Sequence, residues 1–159
     1  MSDNSGQNFL REAIRLSREK MEANAGGPFG AVIVRDGEIL ARGWNQVTSK
    51  NDPTAHAEIV AIRTACEVLN SFTLNGCEIF SSCEPCPMCL AAIYWARIDR
   101  ITFAATQSDA ADADFDDHHF YEELRKPVEQ RMIPVTQSLR DEAIVVFEMW
   151  RRKLDRIRY

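Results

Sequence analysis

The sequence is poor in the residues that mark disorder: its 159 positions hold only 7 glycines and 6 prolines, and neither a repeat nor a low-complexity tract interrupts them. A long apolar run is also missing. The longest useful one, Cys89 to Ala96, is far too brief to span a bilayer, and the first twenty residues contain no apolar stretch of signal-peptide length. There is no basic surplus, since 19 Lys and Arg against 24 Asp and Glu leave a net charge of −5 and no general attraction to nucleic acid. The cysteines do not make a disulfide framework. They are five in number, at 66, 77, 83, 86 and 89, with three inside seven residues, which suits metal or redox chemistry in a reducing compartment. Together these absences predict one soluble, cytoplasmic domain over residues 1–159 that binds neither membrane nor nucleic acid. With 45% of residues apolar, the chain is able to bury a core without staples.

The pattern along the chain predicts an α/β protein. Phe9, Ala13, Leu16 and Met21 mark a helix ended by Gly26-Gly27. Apolar runs from Phe29 to Val34 and from Ile39 to Val47 flank Asp36-Gly37, a hairpin signal. Ile59, Ile62, Cys66 and Leu69 give a half-buried helix over 57–69. A strand over 77–81, a helix over 87–96 and a strand over 100–105 follow, then a long loop over 106–119. A short helix near 119–125, a strand from Met132 to Thr136 and a helix over 141–153 close the chain. This order predicts a mixed, five-stranded sheet with helices on both faces.

Chemistry concentrates in His56-Ala57-Glu58 and in Cys83-Glu84-Pro85-Cys86-Pro87-Met88-Cys89. Cys86 and Cys89, three apart, project from one helix face, and Pro87 suits a first helical turn. Two thiolates and one neutral imidazole cancel the charge of a divalent ion and select zinc over a hard cation. His56 and Glu58 lie about 200° apart around a helix, so they serve one site only at its entry. There His56 ligates while Glu58 handles protons of the reacting water. H-x-E with P-C-x-x-C is the known signature of zinc nucleobase deaminases, and both halves are present.

The resemblance extends further. Gly27-Pro28-Phe29-Gly30-Ala31-Val32, the run from Asn51 to Glu58, the run from Ser82 to Cys89, Ala92 to Arg97, Phe115-Asp116-Asp117 and the terminal Tyr159 resemble the short guanine deaminases of the cytidine-deaminase fold. This resemblance implies a three-layer α/β/α sandwich and one zinc per chain. It also implies a homodimer in which each C-terminal segment, about 141–159, crosses to close the neighbour's site. The implied reaction is hydrolytic deamination of guanine to xanthine and ammonia, with zinc-activated hydroxide attacking C2 and Glu58 and Asp117 moving protons. Asn45, Phe29, Trp95, Asp117 and Tyr159 match positions around the base. A carboxylate at Asp117 is able to accept from both N1–H and the exocyclic amine of guanine, an edge that adenine and cytosine do not offer. Asn45 is suited to either the N3/N9 or the N7/O6 side.

Plainer alternatives stand beside these. Cys83 with His56, Cys86 and Cys89 makes a closed structural zinc set, which leaves Glu58 idle. Trp95 and Tyr94 suit a core, Cys66 and Cys77 ordinary buried thiols, and His118 and His119 a solvated loop. Rival functions are a nucleoside deaminase acting on guanosine or cytidine, a transfer-RNA adenosine deaminase, which the acidic balance disfavours, and a non-catalytic zinc module. Seven acids between Asp109 and Glu123, against the basic tail Arg151, Arg152, Lys153, Arg156 and Arg158, also suggest that a partner's tail docks beside the acidic stretch.

Overall fold

The computed structural model describes residues 3–115 and 118–159, and the chain divides into two units, Met1–His118 and His119–Tyr159.

In the first unit, α1 (Asp3–Glu22) precedes the hairpin β1 (Gly30–Arg35) and β2 (Glu38–Trp44). Asp36 (φ 53°) and Gly37 (φ 79°) make the turn, the left-handed pair that matches strand twist. β2 ends at Trp44, short of the expected Val47, because Val47–Lys50 forms the single-turn helix α2. Helix α3 (Ala57–Leu69), strand β3 (Cys77–Cys83), helix α4 (Pro87–Trp95) and strand β4 (Arg100–Ala105) follow, close to their expected bounds. The sheet runs β2-β1-β3-β4, antiparallel except for the β3 and β4 pair, whose crossover is α4.

Strand alternation divides the core between two faces. Ala31, Ile33 and Ile79 face Ala57, Ala61 and Ala65 of α3 and Ile93 of α4, while Val32, Val34 and Phe80 face Leu16 of α1. Helices therefore cover both sides of the sheet. The alanines of α3 let it lie directly on β2: a Cβ at Gly43 would stand 2.1 Å from the Ala57 carbonyl oxygen, so no larger residue fits there. Glu12 of α1 ties that helix to β2 by accepting from Arg42 at 2.7 Å, it also accepts from Arg15 of its own helix at 2.7 Å, and the two guanidinium groups pull its carboxyl down to about 2.

Two expectations fail here. The loop over 106–119 contains the helix α5 (Gln107–Asp112), started by a reciprocal capping box between Thr106 and Asp109. The strand from Met132 to Thr136 does not form, so the sheet has four strands among the described residues instead of five. Pro134 within that segment removes a ladder donor, and no described strand pairs with it.

The second unit contains most of α6 (His118–Arg125), a 3-10 turn (Val128–Gln130) and α7 (Arg140–Arg152). Glu123 holds its local shape, pairing with Lys126 and accepting from the Met132 N–H at 2.7 Å. No residue from 119 to 159 is buried. No helix among the described residues is long and apolar enough to cross a membrane.

Candidate active site

Two helix starts converge at the C-terminal end of β3. His56 is the N-cap of α3 and Cys86 the N-cap of α4, both in extended conformation, and neither side chain caps its own helix. Ser, Thr, Asp or Asn ordinarily occupies such a position to satisfy the free N–H groups. Here the position carries a metal donor instead. Pro87 begins α4 where a missing N–H costs nothing, and one turn on it brings Cys89 beside Cys86.

The donor atoms of His56, Cys86 and Cys89 all lie within 4.8 Å of one another, with Cys86 Sγ 3.6 Å from His56 Nδ1. Sulfur and nitrogen ligands held tetrahedrally at zinc bond lengths stand about 3.5–3.8 Å apart, and the 3.6 Å between Cys86 Sγ and His56 Nδ1 matches that span. The thiols share one charge. Cys86 is pushed down to about 4 by the hydrogen bond from Cys89 and by His56 alongside, whereas Cys89 is pushed up by the same hydrogen bond, by burial and by Glu58. A divalent cation would take both as thiolates, cancelling the charge that now keeps one protonated.

Glu58 lies in the first turn of α3, 6% exposed. Its Oε1 accepts from the Ser81 hydroxyl at 3.4 Å and its Oε2 from the Cys89 thiol at 3.4 Å. Burial holds its carboxyl above the ordinary range, and the neighbouring Cys86 charge adds to this. A carboxyl raised in this way is suited to take up a proton and return it.

Cys83 is not part of the ligand group. Its thiol donates to the Thr106 carbonyl at 3.5 Å, and the described metal-binding set has three members. That arrangement disfavours the closed four-ligand site, because three protein ligands leave a coordination position for a reactant.

The remaining expected site residues are spread more widely. Asn45, 8% exposed, follows β2, and its backbone N–H donates to the Phe29 carbonyl at 3.0 Å. The next residue, Gln46, donates to the Ala55 carbonyl at 2.8 Å, which keeps Asn45 beside the entry to α3. Asn45 Oδ1 accepts from the Gly27 and Val47 N–H groups, both at 3.2 Å. Its amide oxygen is thus occupied, and the NH₂ is what it can offer. Phe29 meets Phe115 edge to face at 4.8 Å, and both line a cavity of about 330 Å³ with Ser82, Cys83 and Ala105. Trp95 ends α4, nine positions after Cys86, so about 13 Å of helix separates them. It is 62% exposed and is not brought to the metal set of its own chain. Asp117 lies outside the described residues. Tyr159 is exposed in the second unit.

Sequence reasoning missed Ser81, which anchors Glu58. A polar residue amid the apolar alternation of a central strand was the available signal. It also missed Glu84, whose Oε2 accepts from the Gln107 N–H at 3.1 Å.

Comparison with known proteins agrees with this geometry. A guanine deaminase from Bacillus subtilis is 51% identical over 153 residues, spanning 96% of this chain and 98% of its own. The X-ray structure of that Bacillus subtilis enzyme superposes with a TM-score of 0.94 over the same share of both chains. A tRNA-specific adenosine deaminase from Aquifex aeolicus is 43% identical over 97 residues, covering 61% of this chain and 64% of its own. A guanine deaminase structure from Nitrosomonas europaea matches at 29% identity and a TM-score of 0.66, over 89% of this chain and 81% of that one. Residues 3–105 match the cytidine and deoxycytidylate deaminase zinc-binding region, and this chain belongs to that family.

Proposed function

We propose that this chain is a zinc-dependent guanine deaminase that hydrolyses guanine to xanthine and ammonia. The observation that carries the reading is the full-length match to the Bacillus subtilis guanine deaminase, which extends across the second unit, whereas the adenosine deaminase match stops at 97 residues.

His56, Cys86 and Cys89 would hold zinc, whose chemistry is to lower the pKa of a bound water towards neutrality. The protein's own groups do the rest. Ligation requires the Cys89 proton to leave, which releases Glu58 Oε2 from that hydrogen bond while Ser81 keeps Oε1 fixed. The freed oxygen accepts a proton from the attacking water and returns it to the departing amine. Asn45 donates through its NH₂ to a ring or carbonyl acceptor of the base, because its oxygen is already engaged by Gly27 and Val47. Phe29 supplies an apolar wall, and Asp117 reads the N1–H and amine edge.

The working unit is a homodimer in which the C-terminal segment crosses to the neighbour. Support comes from the apolar side chains of α7 and the tail, which nothing in the second unit covers. Trp95, exposed at the end of α4, and Tyr159, exposed in the second unit, are assigned to that shared boundary. The acidic and basic segments play a smaller part in docking than their counts suggest. Asp109 is committed to its capping box, Glu123 to Lys126, and Lys153 to Asp155. The free thiols support a reducing cytoplasm, and the substrate supports a place in purine breakdown.

The test is ammonia release from guanine, guanosine, adenine, cytosine and cytidine by the purified, zinc-loaded protein. Guanine is expected to be the preferred substrate. Glu58→Gln should keep one zinc per chain and lose about 10²–10⁴ in kcat. Faster turnover of guanosine or cytidine would replace this reading with a nucleoside deaminase, and full activity of Glu58→Gln would remove the proton-transfer role.

A further inference from the structure

The turn that carries the cysteines is fastened to the next strand-to-helix turn by three contacts. The Glu84 N–H donates to the Ala105 carbonyl at 2.8 Å, the Cys83 thiol donates to Thr106, and the Gln107 N–H donates to Glu84 Oε2. The last is unusual in purpose. Helix α5 has its own capping box, in which Thr106 and Asp109 satisfy each other's N–H groups. That box leaves the Gln107 N–H to be satisfied from elsewhere, and the side chain that does so belongs to the metal turn.

Through α5 the contact reaches the cavity wall. Ala110 anchors the helix in the interior, the Phe115 N–H donates to the Ala110 carbonyl at 3.0 Å, and the Phe115 ring stands edge-on against Phe29. We propose that Glu84 is a positioning residue: through the Gln107 N–H it fixes α5, and hence the Phe115 and Phe29 pair, relative to the cysteine turn. Its Oε2 is engaged by the Gln107 N–H, and it is not one of the three metal donors. Its effect is on how firmly the wall is held when a planar base enters, so it belongs to binding and not to the chemical step. The kinetic arm of this proposal rests on the guanine deaminase reading.

The experiment compares Glu84→Ala, Glu84→Asp and Glu84→Gln. Ala removes the acceptor and Asp is one methylene too short to reach it, whereas Gln keeps an amide oxygen in place. Ala and Asp should each raise the KM for guanine about fivefold, the effect of one lost helix cap, with kcat within about twofold and one zinc per chain retained. Gln should restore the KM to within about twofold. Amide hydrogen exchange at Gln107 and Phe115 should accelerate in the Ala and Asp variants and not in Gln. In a Phe115→Leu background the Ala substitution should add less than about twofold, because the chain of contact is already cut. An unchanged KM, an equal rise in both backgrounds, loss of zinc from the Asp variant, or unaltered exchange at Gln107 overturns the proposal. The exchange arm needs no substrate, so it decides the positioning role even if guanine proves to be the wrong one.

Discussion

In the first unit Ile33, Leu74 and Ile79 are sealed from water, whereas in the second Val145, Phe147, Met149 and Ile157 each keep more than half of their surface wet. Both stretches are apolar enough to make a core, yet only one does. At roughly 25 cal/mol per Å² of apolar surface, the first unit draws its stability from burial and the second forgoes it. The two therefore differ in what holds them: the sheet is packed by its own helices, whereas the C-terminal helix keeps its apolar side chains exposed.

The largest expected effect comes from the sealed side. Ile79→Ala empties a position in the face packed on α3 and α4, and should lower unfolding free energy by about 3 kcal/mol in urea titration. A loss under about 1 kcal/mol would mean that the first unit is not the stable half. The same kind of truncation on the wet side should behave differently. Phe147→Ser should change the unfolding of the first unit by no more than about 0.5 kcal/mol, while weakening self-association at least tenfold in sedimentation equilibrium. Unaltered association would show that α7 is covered by something other than a second copy. The smallest effect lies in the ion pairs of Glu12, which joins α1 to β2 through Arg42. The Glu12 carboxyl is depressed from 4.5 to about 2, so its stabilisation is fully present above pH 4.5 and lost as pH falls through 2. Glu12→Gln should cost at most about 1 kcal/mol at pH 7, since both guanidinium groups are half in water, and that cost should vanish towards pH 2. A cost that grows with acid would reverse the sign and refute the pairing.

How much of this was legible beforehand depended on whether the signal was local. The Asp36-Gly37 turn, the 57–69 helix and the His56, Cys86, Cys89 and Glu58 set all follow from spacing and residue type, because each is decided within a few positions or by ligand chemistry. Helix α5 escaped because six residues show little periodicity, although Thr106 and Asp109 spell a capping box that was there to be read. The strand expected from Met132 to Thr136 failed for the opposite reason: β propensity was present, but Pro134 withholds a ladder donor in the middle of the segment. Ser81 and Glu84 act across the fold, 23 residues from the groups they hold, and no local pattern announces such contacts.

One arrangement at the site has a practical outcome for anyone handling the protein. Since His56 and Cys86 leave the first turns of α3 and α4 without a closing side chain, a zinc ion held by them and Cys89 would also tie the two helix starts together. Chelation would thus loosen the scaffold at the same moment as it silences turnover.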